Sequence, residues 1–264
     1  MEYNKEIGMF YDKDACDYDL RYWNNPVVQR MRQSFREQAK QFSGKSMLEI
    51  GFGTGLDLIH FGKTHPDRQI FGIDLSAEMV NITMERIESS KCKNIEVLQG
   101  SVEEIEILFP NYKFDIIYVF FGALNTVENL NLAANKLVNV LNPNGVIVLT
   151  FVNKWYLTGM LIEVLRCRFL RVFSRLKTTW GGYSPSHFLP SHCYTPHQVK
   201  EAFSDIKFIG KKGYTIVHPA WFYTKINIKL GKRLSRILWK IDTFLSRTFL
   251  WSFGEFGLMV FKNK

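Results

Sequence analysis

Two carboxylates and three glycines make the densest chemical pattern in the chain: Glu49-Ile50-Gly51-Phe52-Gly53-Thr54-Gly55, then Asp74. Met47, Leu48 and Ile50 suit a short buried strand. Glycines at alternate positions let the backbone turn tightly and approach a ligand closely. With a helix expected over residues 56–63, free N–H groups converge at the turn, the arrangement of a nucleotide site. A dinucleotide fingerprint would need its third glycine where Leu56 stands. An acid two residues before the first glycine also suits a pyrophosphate poorly, whereas a ligand carrying an ammonium and a sulfonium can use it.

Asp74 closes a second expected strand over residues 69–73. A carboxylate there, beside the glycine loop, can accept hydrogen bonds from both hydroxyls of a ribose. Ser76 is an N-cap for a helix over residues 77–90, and Met79 offers a polarisable surface to a nucleobase.

Together these residues resemble motif I and the following acidic position of the class I S-adenosylmethionine-dependent methyltransferases. The likeness is continuous to residue 152. It implies a doubly wound, mostly parallel seven-stranded α/β sheet with helical additions. It also implies S-adenosyl-L-methionine as cofactor, with S-adenosyl-L-homocysteine as product. Carried over position by position, Glu49, Gly51, Gly53, Thr54 and Gly55 form the loop of the cofactor site and Asp74 takes the ribose. Leu75, Met79, Ser101 and Val102 border the adenine, and Phe120 lies near the methyl. The pattern Tyr11-Asp12, Ala15, Tyr18-Asp19 resembles the family's N-terminal helical cover, in which Tyr18 would close over the methionine end and Tyr11 would face substrate. Ser101 stands where the family usually has an aspartate; its hydroxyl or Glu103 is the expected substitute toward the adenine amino group, with the Val102 backbone as a further reader of the ring.

Residues 114–121 are almost continuously apolar, as a central parallel strand requires. They lead into Gly122-Ala123-Leu124-Asn125, which places Phe121 and Asn125 near the acceptor. The segment lacks the Asn/Asp-Pro-Pro-aromatic motif of enzymes that methylate nucleic-acid bases. It also lacks the acids that aminopropyl transfer would want.

Three regions are expected: an N-terminal helical cover (1–40), an α/β core (41–153), and a third part (154–264) that completes the sheet and adds a basic lid. In the last, a long helix is read over 155–177, helices over 196–203 and 225–250, and strands over 206–209 and 257–261. A general base, needed only if the acceptor loses a proton, is sought between Trp180 and Tyr194. His192 is the first candidate and Tyr194 the second; His187 and Trp221 are assigned to substrate contact, and His218 is a weaker alternative. A purely structural, hydrogen-bonded role for each histidine stays open.

The 264 residues carry a net charge of +9, unevenly placed. Residues 1–153 hold 15 Lys+Arg against 20 Asp+Glu, a balance of −5, and residues 154–264 hold 19 against 5, a balance of +14. The four cysteines form no C-x-x-C pair, and no metal cluster is read. The start of the chain lacks a signal-peptide pattern, so a cytoplasmic setting is expected. The basic second half either packs as a solvated lid, rests on an anionic membrane surface or meets nucleic-acid phosphates. The last is disfavoured because its aromatics lie on apolar faces. The expected function is methylation of a small molecule, apolar or lipid-linked, at oxygen, nitrogen or carbon. The alternatives are a cofactor-binding protein without transfer activity and a nucleic-acid methyltransferase.

Overall fold

A computed structural model describes residues 2–181 and 188–264. Seven strands, β1 (Ser46–Ile50), β2 (Gln69–Asp74), β3 (Ile95–Gln99), β4 (Phe114–Val119), β5 (Leu141–Val152), β6 (Lys207–Tyr214) and β7 (Phe256–Lys262), form one sheet. Their order is β3-β2-β1-β4-β5-β7-β6. The first five run parallel, and β7 is antiparallel to both of its neighbours. Strand order reverses between β1 and β4, so a crevice opens at their C-terminal ends. This is the doubly wound sheet that the sequence implies.

Helices α1 (Glu2–Asp14), α2 (Tyr18–Trp23) and α3 (Pro26–Lys40) precede the sheet. Within it run α4 (Leu56–Thr64), α5 (Ala77–Ser90), α6 (Ile105–Leu108) and α7 (Leu130–Asn139). After β5 come α8 (Leu157–Leu165), α9 (Phe169–Val172), α10 (Pro196–Ala202) and α11 (Thr224–Leu245). Side chains of a strand alternate between faces: Leu48, Ile50, Ile117 and Val119 enter one core, and Met47, Ile116 and Tyr118 enter the other. α3 closes that second core with Val27, Met31, Phe35 and Ala39 at helical spacing. Its start is fixed by Asn25, whose Oδ1 accepts from Val27 and Val28 N–H, with Pro26 in the first turn. α1 is tied across the sheet's C-terminal edge by Asp12, whose Oδ1 accepts from Ser76 Oγ and Glu78 N.

Three expectations change. The long helix over 155–177 breaks after α8. Cys167 turns left-handed (φ 56°) and its N–H reaches Val164 O, while Arg168 N reaches Glu163 O. That pair of bonds is a Schellman stop. The last helix ends at Leu245 and is kinked at Gly231 (φ 65°, ψ 171°). β5 begins at Leu141, five residues earlier than read, because Leu141 pairs with Phe114 across an irregularity in the ladder.

Candidate active site

Gly51, Gly53 and Gly55 all have positive φ, at 68°, 57° and 75°. A side chain at Gly51 would bring its Cβ within 2.7 Å of the Ala123 Cβ. One at Gly53 would meet the Tyr18 ring in ordinary contact at 3.5 Å, so there the positive φ alone asks for glycine. The loop is therefore bare where it faces the crevice, under a tyrosine from the N-terminal cover. Around this cleft stand Tyr11, Tyr18, Glu49, Gly51, Gly53 and Thr54, with Asp74, Leu75 and Met79 on the next strand end. Ser101, Val102, Phe120 and Phe121 complete the far wall.

Of the four carboxylates that line the cleft, Glu49, Asp57 and Asp74 are buried and Glu103 is partly exposed. Asp74 Oδ2 accepts from Gly53 N at 2.8 Å and Oδ1 from Ser76 N at 3.0 Å. Burial raises its pKa to about 6, against the lowering by these N–H donors. Glu49 is placed differently. Its Oε2 has no hydrogen-bond partner, and burial, then the nearby Asp57 charge, pushes its pKa well above the ordinary value. Asp57 itself is neutralised by Arg32 and Arg36. Arg32, the Tyr118 hydroxyl and Arg36 pull the pKa of Glu49 the other way, but Oε2 remains an open acceptor that an ammonium would complete.

Tyr11, Tyr18, Arg32 and Phe121 also border a second chamber. Its other walls are largely aromatic, with Phe10, Tyr22, Trp180, Trp221 and Phe222, and two acids reach it, Asp14, which is paired with Arg21, and Glu255. Glu255 is buried, 3.8 Å from Arg175 Nη2, and its Oε2 accepts from Thr215 Oγ1 at 3.4 Å. Burial raises its pKa to about 7, although Arg175, Thr215 and Trp221 pull it down. Arg175 is held by the rings of Tyr156 and Trp180, at 5.1 and 4.7 Å from their centroids. The sequence reading missed Glu255 and Arg32. The available signal for Glu255 was its isolation, as one of five acids in a strongly basic second half.

Several expected site residues have other work. Gly55 faces away from the cleft: it caps α4, and a Cβ there would strike Thr83 at 2.6 Å. Thr54 lines the cleft, but its hydroxyl is donated to Asp19 at 2.6 Å. The Ser101 hydroxyl donates to Glu104 at 2.9 Å, which leaves Glu103 as the acid of that wall, its Oε2 accepting from Asn4 Nδ2 at 3.3 Å. Asn125 does not line either chamber. It is fully buried, its amide donates to Val152 O and His192 O, and its Oδ1 accepts from Val152 N. It therefore clamps β5 to the following loop. His192 bonds Thr178 O through Nδ1 and lies outside both chambers. Tyr194 lines a groove beside α7 and α10 instead. Neither candidate base lines the cleft or the aromatic chamber, and Asn125 holds the His192 backbone through both its side-chain amide and its own carbonyl. His218 is buried between Pro219 O and Ser235 Oγ. Trp221 lines the second chamber, and His187 lies outside the described residues.

A sequence profile described as a methyltransferase domain matches residues 41–176, just over half of the chain. The chain belongs to this methyltransferase family. The family uses S-adenosylmethionine as methyl donor, and the bare glycine loop and the unpartnered Glu49 fit it. This methyltransferase is 26% identical to an uncharacterised protein of Methanocaldococcus jannaschii, over 95% of its own length and 88% of that relative. It is 26% identical to a tRNA (guanine-N(7)-)-methyltransferase of Helicobacter pylori, over 56% of the chain and 42% of the relative. A demethylmenaquinone methyltransferase of Porphyromonas gingivalis is 27% identical over 54% and 58%. The matches thus span about half of each named enzyme. Among solved structures, the [4+2]-cyclase SpnF superposes with a TM-score of 0.65 at 14% identity, covering 98% of this chain and 96% of that one. The N-methyltransferase NodS of Bradyrhizobium japonicum, in complex with S-adenosyl-L-homocysteine, gives 0.53 at 13%, covering 90% and 88%. At these identities the structures speak for the fold.

Proposed function

We propose that this methyltransferase acts on a small, largely apolar acceptor held in the aromatic chamber, with the cofactor in the glycine-loop cleft. The observation that carries the reading is the shared wall: Tyr11, Tyr18, Arg32 and Phe121 border both spaces. Asp74 takes the ribose hydroxyls, Glu49 the amino group, and Met79 with Val102 the adenine. When bound, the cofactor supplies a methyl group already activated by a positive sulfur. The chain's task is then to hold the acceptor in line and exclude water, worth roughly 7–11 kcal/mol of barrier when the geometry is good. If the acceptor must lose a proton, Glu255 is the group that receives it. A carboxyl with a pKa near neutrality suits that role. The demethylmenaquinone methyltransferase among the relatives supports an apolar acceptor. The tRNA methyltransferases favour a nucleic-acid one, and both kinds of relative share only about half of their length with this chain.

The test is transfer of label from methyl-labelled S-adenosylmethionine into lipid, aqueous and RNA extracts. Label in an organic-soluble small molecule is expected. Label confined to RNA, or saturable binding without any transfer, would overturn the reading.

A further inference from the structure

We infer that the lid built from α8, α9 and α11 docks on an anionic lipid surface. On α8, Leu157, Leu161, Val164 and Leu165 recur at helical spacing and are all exposed. The opposite side of that helix faces the protein, with Ile162 packed against the cluster of Tyr156, Ala220 and Tyr223, and the Glu163 carboxylate accepting from the Tyr223 hydroxyl at 3.1 Å. α9 continues the apolar face with Phe169 and Leu170, the latter 94% exposed. α11 repeats the design. Ser235, Trp239 and Asp242 fix it to the body through His218, Arg30 and the Val217 N–H. Leu234, Ile237, Ile241 and Phe244 form an outward stripe.

Charge completes the picture. Between residues 154–181 and 220–250 there are thirteen Lys+Arg and only two acids, Glu163 and Asp242. Both acids are buried, so the described part of this surface shows cations and hydrocarbon to the outside. Large exposed apolar side chains beside lysines and arginines are the composition of a helix lying in a bilayer interface. A phosphate backbone would use the cations but gain nothing from covering leucines and phenylalanines. No described helix is long and apolar enough to cross a membrane, so the contact is peripheral.

The surface also has a place relative to the chemistry. Trp180, Trp221 and Phe222 border the aromatic chamber and a groove carrying Arg166, Arg168, Arg171 and Lys177. A lipid-borne acceptor would thus pass from the bilayer to the chamber without crossing water. That route rests on the proposed acceptor; the docking surface does not.

The test is sedimentation of the full chain with vesicles of phosphatidylcholine alone and of equal parts phosphatidylcholine and phosphatidylglycerol, at low and high salt. Pelleting with the anionic vesicles, reduced by salt, is expected. The double variants Arg168→Glu/Arg171→Glu and Leu165→Asp/Leu170→Asp should each lower partitioning by about tenfold or more. Unchanged calorimetric affinity for S-adenosylmethionine shows that each variant is folded. Asp74→Ala should pellet like the parent chain, which separates docking from the cofactor reading. No pelleting, equal pelleting with neutral vesicles, or a tRNA gel shift abolished by the arginine variants in a protein that does not pellet would overturn the inference.

Discussion

A carboxyl buried without a partner is costly unless it takes a proton or meets a cation. Glu49, with Oε2 unpartnered and its pKa raised by burial against the pull of Arg32 and Tyr118, comes near to such a group, and with Asp74 it gives the cleft its character. If Asp74 accepts from both ribose hydroxyls while both of its oxygens accept from Gly53 N and Ser76 N, the ionised form does so best. Its pKa of about 6 means that the acceptor is present above that pH and lost as pH falls through it. Cofactor affinity should therefore weaken from pH 7 to pH 5, and Asp74→Ala should remove measurable binding; calorimetry across that range decides both. For Glu255 the sign is set by the role of base. Turnover should rise as pH passes about 7, and Glu255→Gln should flatten that rise and cost about a hundredfold in kcat. A profile unchanged by the substitution would remove Glu255. His192→Ala should leave kcat within a factor of two, because its ring is bonded to Thr178 O outside the chambers. The glycines and Asp74 were legible because their chemistry is local. Glu255 was not, because only the sheet brings β7 to the chamber.

Elements were read well where one signal sufficed. β1, β2 and β4 announced themselves as apolar runs, and α5 lies where Ser76 caps it. The break after α8 escaped because its Schellman stop uses Cys167, not glycine or proline, at the left-handed position. Asn125 shows the same limit at a loop. Its type and place beside the strand suggested substrate contact, but the partners that claim it lie 27 and 67 residues away. Asn125→Ala should strand buried donors and acceptors at both places. A loss of about 2–4 kcal/mol is expected, read from urea unfolding. A smaller loss with impaired turnover would return Asn125 to the substrate.

At the scale of the molecule, the charge imbalance was plain in the sequence, but its distribution over an exposed lid needed the structure. The N-terminal cover is the other large-scale device. α1 brings Asn4, Ile7 and Tyr11 to the cleft, and Phe10, Tyr11 and Asp14 to the aromatic chamber. If the cofactor binds only with this cover closed, saturation should protect the cover from proteolysis. Cleavage in α1 and α2 should slow by up to about a hundredfold at a cofactor concentration a hundred times Kd. Unchanged cleavage would mean that cofactor enters without moving it.

A roof common to two rooms would also set the rhythm of catalysis. If α1 must lift to trade S-adenosyl-L-homocysteine for a fresh donor, an acceptor held in the aromatic chamber loses its own wall at the same moment. Any molecule with more than one methylatable position would then leave between rounds, so partly modified species should accumulate in solution before the finished product does.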